Sequence, residues 1–96
     1  MFGDVGFDCV TSDKLVCEGP CDLYGLTVLA SADGGDVTLY EGQDAGSGRK
    51  IGTYKGGANV SNPIMFSFPL PLARGLYVDI GSSITEVTVH FAQQGR

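Results

Sequence analysis

The sequence predicts an all-β protein, an antiparallel β-sandwich of jelly-roll-like form with about seven to eight short strands. Three observations predict it. Short runs rich in β-branched and aromatic residues alternate apolar with polar positions. Clusters of Gly, Pro, Asn, Asp and Ser separate these runs at near-regular spacing. No segment carries apolar residues at i, i+3, i+4 and i+7 over the length of a helix. Fifteen glycines among 96 residues, well above the usual share of roughly 7%, suit a chain of many tight turns.

The elements follow in order. Residues 1–12 set Phe2, Val5, Phe7 and Val10 among Gly3 and Gly6 and read as an amino-terminal arm or edge strand. A single sandwich domain then covers 13–96. Those four apolar residues are the interface candidates. The arm is too short to fold alone and gains by adding as a strand to a sheet edge of its own chain or of a neighbour. The neighbour option predicts a closed homo-oligomer, a dimer or a trimer.

"KLVCE" (14–18) is a short strand stopped by Gly19-Pro20. "CDLYGLTVLAS" (21–31) sets Leu23, Gly25, Thr27 and Leu29 on one face and Tyr24, Leu26, Val28 and Ala30 on the other. Apolar residues on both faces predict a strand in mid-sheet, covered on each side. Asp33-Gly34-Gly35-Asp36 is a turn signal before "VTLYEG" (37–42). A Gly- and Ser-rich loop leads to "KIGTYK" (50–55), and a connection from Gly56-Gly57 reaches Asn62-Pro63. "IMFSF" (64–68) is read as ended by Pro69 and Pro71, which cannot donate to a ladder. "GLYVDI" (75–80) and "TEVTVHF" (85–91) flank Gly81-Ser82-Ser83. Alternation predicts a core around Leu26, Val28, Leu39, Val78, Val87 and Val89.

Charge narrows the partners. The formal net charge is −5, and the six Lys and Arg residues are scattered. A nucleic-acid surface needs a clustered basic stripe, and anionic lipid attracts the same kind of cluster. The expectation is no nucleic acid and no membrane. The opening residues show no basic-then-apolar leader pattern, so synthesis and folding in a reducing cytoplasm are expected.

Candidate chemistry is sparse, and no enzyme, catalytic residue or cofactor is expected. Asp33, Asp36, Glu41 and Asp44 cluster around two turns and are the weak Ca²⁺ candidates, though their spacing does not match an EF-hand loop. Asp is common in turns because it bonds nearby backbone, and that reading is preferred. "GSGRK" runs into a strand rather than a helix, so it is no phosphate loop. His90 is the single histidine and stands on the polar side of the last strand. Tyr24, Tyr40, Tyr54 and Tyr77 are candidates for a sugar-stacking platform, with cross-strand packing as the plainer alternative. Cys9, Cys17 and Cys21 fit no common zinc spacing and are expected to be reduced and metal-free, with a Cys17–Cys21 bridge the secondary reading.

"GPCDLYGLTVLA", "VTLYEGQDAGSGRKI", "PLPLARGLYVDI" and "VTVHF" together resemble a group of small virion proteins of tailed phages. The resemblance covers residues 19–91 and rests on strand and turn motifs. It implies a non-enzymatic structural part of a bacteriophage virion. A capsid decoration (cement) protein that binds and stabilises the capsid lattice is the expected role, with the major capsid protein or other virion subunits as partners. The alternative expectation is a small carbohydrate-binding or adhesion module of the tail or fibre.

Overall fold

A computed structural model describes residues 6–31 and 34–93. Eight strands appear among them: β1 (Gly6–Val10), β2 (Lys14–Cys17), β3 (Cys21–Ala30), β4 (Gly35–Glu41), β5 (Arg49–Gly56), β6 (Ser61–Leu72), β7 (Leu76–Ile80) and β8 (Ile84–Gln93). They form two four-stranded sheets, β1-β8-β3-β6 and β2-β7-β4-β5. The pairs β1·β8, β2·β7, β3·β6 and β4·β5 are nested and antiparallel. This is a long four-layer hairpin rolled into a sandwich, the jelly roll.

Alternation explains the core. Leu26, Val28, Leu39, Val78, Val87 and Val89 are all fully buried between the sheets. Cys17, Cys21, Leu23, Val37, Leu72 and Leu76 join them. The two open flanks of the sandwich are closed differently. At one, Lys14 Nζ of β2 bonds Asp8 Oδ2 of β1 at 2.8 Å. At the other, Tyr54 of β5 meets Phe66 of β6 edge-on, with ring centroids 6.2 Å apart. Burial there pushes the Tyr54 hydroxyl pKa up.

Several expectations are corrected. Residues 6–10 pair with β8 of their own chain, from Gly6↔Phe91 to Val10↔Val87. Val10 is therefore a core residue, 2% exposed, and not an interface candidate; strand alternation turns it inward. Phe2, Val5 and Asp33 lie outside the described residues. On β3 the two faces do not hold through the strand. A bulge between Leu23 and Gly25 shifts the pairing, so Leu23 points inward together with Leu26 and Val28. β3 is central, as expected, but only its inner face is covered.

β6 does not stop at the prolines; it runs from Ser61 to Leu72 through Pro63, Pro69 and Pro71. It is the edge strand of its sheet, pairing with β3 alone. A strand with one free side tolerates residues that cannot donate. Phe66, Ser67, Phe68 and Pro69 stand opposite Tyr24 alone, between Met65↔Gly25 and Leu70↔Leu23. The strand swells outward there and spoils the edge for pairing with another chain.

Candidate functional site

Both sheets present an outer face, and the two differ in chemistry. On the β1-β8-β3-β6 sheet the register aligns Phe7, His90, Gly25 and Met65 in one row. The next row is Cys9, Thr88, Thr27 and Pro63. The inward turn of Val87, Val89, Leu26 and Val28 sends all of these outward. Neither row carries an Asp, Glu, Lys or Arg. Phe7 is 72% exposed, Met65 60%, and Phe68 on the swelling 80%. Large apolar groups so exposed, on rows without a charge, mark a surface that meets another molecule.

Gly25 lets this face form. A Cβ there would lie 2.5 Å from the Ile64 carbonyl oxygen and 2.7 Å from Met65 Sδ. Without it, β6 approaches β3 closely and the Met65 thioether lies down over the strand. The unbranched Met side chain fills such gaps and adapts to a partner's shape.

The β2-β7-β4-β5 sheet presents another mixture. Its register sets Leu15, Tyr77, Tyr40 and Lys50 in one row and Asp79, Thr38 and Thr53 in the next. The Thr38 and Thr53 hydroxyls share a 3.2 Å hydrogen bond. Desolvation first, and then the charges of Asp13, Asp79 and Asp44, raise the Tyr77 hydroxyl pKa. The four candidate tyrosines are thus divided. Tyr40 and Tyr77 are cross-strand partners on one outer face, Tyr54 packs on Phe66, and Tyr24 belongs to the other sheet.

The acidic turn residues are occupied with the fold. Glu41 is buried; its Oε2 accepts the Ala73 N–H at 2.7 Å, and its Oε1 lies 3.2 Å from Arg49. This carboxylate ties β4 to the β6–β7 connection. Asp36 faces Lys55 at 3.8 Å. Asp36 and Glu41 sit near opposite ends of β4, so they cannot share one ion. Among the described residues no group of three or more His, Cys, Asp or Glu side chains is arranged to hold a metal.

The Gly- and Ser-rich 42–48 loop is a built turn. Asp44 Oδ1 accepts the Ser47 N–H at 2.7 Å and the Ser47 hydroxyl at 2.9 Å. The Gln43 amide donates to the Glu18 and Arg74 carbonyls, each at 2.8 Å, and clasps two neighbouring connections. Gly75, at φ +111°, admits this clasp, since a Cβ there would lie 2.5 Å from the Cys17 carbonyl. The loop is scaffold.

The bonds from Ser47, its backbone amide foremost, hold the Asp44 carboxyl below its ordinary pKa. A depressed carboxylate stabilises the turn above its unfolded pKa, and that contribution is lost as pH falls through the lowered folded value. The Ser47 amide resonance is therefore expected to hold its position from neutral pH down to about pH 4 and to shift only below. A midpoint above about 4 would contradict the bonding. In Asp44→Asn the response should vanish.

Two shallow clefts sit at opposite ends of the sandwich. One, of about 580 Å³, is lined by Gly34, Gly35, Asp36, Lys55 and Ser82. The other, of about 500 Å³, is lined by Glu18, Pro20, Gln43, Ser47 and Arg74. His90 lines neither.

Of the arm candidates, Phe7 stands on the apolar face, while Met65 and Phe68 were missed by sequence reading. "IMFSF" is apolar at nearly every position, which was the available signal that both faces of this strand carry apolar groups. Residues 6–10, read as an arm or edge strand, are an edge strand and contribute a residue to each of those rows because they pair with β8. No family model, curated protein or solved structure matches the chain.

Proposed function

We propose that the chain is a non-enzymatic structural protein of a bacteriophage virion, a decoration protein that binds and stabilises the capsid lattice. The observation that carries this reading is the pair of uncharged rows on the outer face of the β1-β8-β3-β6 sheet, with Phe7 and Met65 largely exposed there and Phe68 exposed on the β6 bulge. A face of this kind seats on another protein, and burying it there is the binding energy. Many copies, each bridging neighbouring subunits, would resist internal pressure without any chemical step. The net charge of −5 suits a part kept away from packaged DNA. Eight-stranded jelly rolls recur in viral capsid and lectin domains, which is an analogy of fold and supports either reading offered here.

Purified particles of the phage that encodes the chain provide the test. Quantitative mass spectrometry is expected to find the protein in a fixed ratio to the major capsid protein. Met65→Asp with Phe68→Asp is expected to remove it from the particle. Both sites are exposed, so each substitution should cost no more than about 0.5 kcal/mol of stability. Particles lacking the wild-type protein would overturn the reading.

A second reading is a small carbohydrate-binding or adhesion module. The pairing of Tyr40 with Tyr77, next to Thr38, Thr53 and Asp79, favours it, because tyrosine rings, hydroxyls and carboxylates suit the apolar and polar sides of a sugar ring. Glycan-array binding that Tyr77→Ala abolishes would support this module over the decoration protein.

A further inference from the structure

The crossing from β2 to β3 brings two thiols together. Cys17 ends β2 in one sheet, and Cys21 opens β3 in the other. Both are buried, at 2% and 0% exposure, in one cluster. The Cys17 side chain lies near enough to act on the Cys21 thiol. The Cys17 thiol also donates to the Gly19 carbonyl at 3.3 Å. Gln93, the cross-strand partner of Cys21 on β8, extends its amide to Cys17 Sγ at 3.8 Å. Cys9 stands apart, exposed on β1.

A disulfide needs Cα atoms roughly 4.4–6.8 Å apart and sulfurs able to meet. Two thiols in one buried cluster, flanking a three-residue turn and each on a strand paired in its own sheet, come close to that arrangement. Because the strands belong to different sheets, a bond between them would add a covalent link between the two layers beside the three-residue turn, Glu18-Gly19-Pro20.

We propose that Cys17 and Cys21 are a redox-closed staple of the sandwich, dithiol as synthesised and disulfide in oxidising surroundings, with a low-molecular-weight disulfide such as oxidised glutathione as the oxidant. One cysteine thiolate attacks the glutathione disulfide. This forms a protein–glutathione mixed disulfide and releases one glutathione thiolate, which takes up a proton. The second cysteine thiolate attacks the protein sulfur of the mixed disulfide and releases the second glutathione. In total two protein thiols lose two electrons and two protons, and one glutathione disulfide becomes two glutathione thiols.

The folded chain governs the rate. Burial, and then the neighbouring Cys17, push the Cys21 thiol pKa up to about 12. A buried, protonated thiol is a poor nucleophile. Closure in the native state therefore waits for local opening of β2, a four-residue edge strand. The same burial keeps the closed bond away from reductants. This chemistry does not depend on the protein's role; in a virion part, the staple would close after the particle leaves the cell.

The test uses the full chain and a Cys9→Ser variant, which removes the exposed thiol. Each is incubated with oxidised glutathione, once folded and once during refolding, then alkylated in denaturant. The expected outcome is a mass lower by two hydrogens, a peptide linked between positions 17 and 21, and a melting temperature higher by about 10 °C. Dithiothreitol should reverse all three, more slowly in the folded state than in denaturant. Closure by either route with a raised melting temperature supports the staple. Two free thiols in Cys9→Ser after both routes would overturn it, as would a lasting glutathione adduct at either site. A closed form that melts at or below the dithiol form would overturn it too.

Discussion

Leu26→Ala is expected to lower the melting temperature by about 10–30 °C, a loss of about 2–5 kcal/mol. Leu26 is fully buried on the inner face of β3, a strand with neighbours on both sides in its sheet. Its cross-strand partners are Val89 on β8 and Ile64 on β6. Truncation removes transfer free energy and leaves a cavity between two sheets that their ladders hold apart, so little relaxation follows. A domain of 96 residues has a total stability on the order of 5–15 kcal/mol, so a large part of it rides on this side chain. Thermal melts and urea titrations measure the loss. A change below about 1 kcal/mol would mean that the packing at this position is not as described.

Gly25→Ala is expected to be nearly as costly, for an unrelated reason, and to damage the outer face as well. The added methyl would meet the Ile64 carbonyl oxygen at 2.5 Å and Met65 Sδ at 2.7 Å. The thioether can swing away; the carbonyl belongs to the backbone of a paired strand and cannot. β6 must move off β3, which weakens the ladder around Met65↔Gly25 and lifts Met65 from its seat. The cost is expected at about 1–3 kcal/mol, with faster hydrogen exchange confined to β6 and its partners on β3. Where Met65→Asp should leave stability nearly intact and remove attachment to a partner, Gly25→Ala should reduce both. Wild-type stability together with undisturbed exchange in β6 would contradict the close approach of the two strands.

The period-two pattern and the turn residues, read without any coordinates, determine that the chain is all-β, where most strands lie and which six side chains form the middle of the core. Alternation is a local property, and burial of one face follows from it. Asp44 was also legible as turn chemistry, capping its own loop within three residues, whereas Asp36 and Glu41 lie within β4. What lay beyond local reading depends on pairing. β6 continues through its prolines because it lies at a sheet edge, and nothing near Pro69 in the sequence announces that. Val10 is core and Phe7 is surface because β1 pairs with β8, some eighty residues away. The β3 bulge reverses the faces on either side of Tyr24 only in the presence of β6 and β8. Phe7 and Met65 share a row through the same nested pairing. The sequence alone determined which residues prefer burial and where the chain turns, since those preferences act over a few residues. Tertiary structure decided which edges stay open and which apolar groups remain exposed, because strand order and register join positions far apart in the chain.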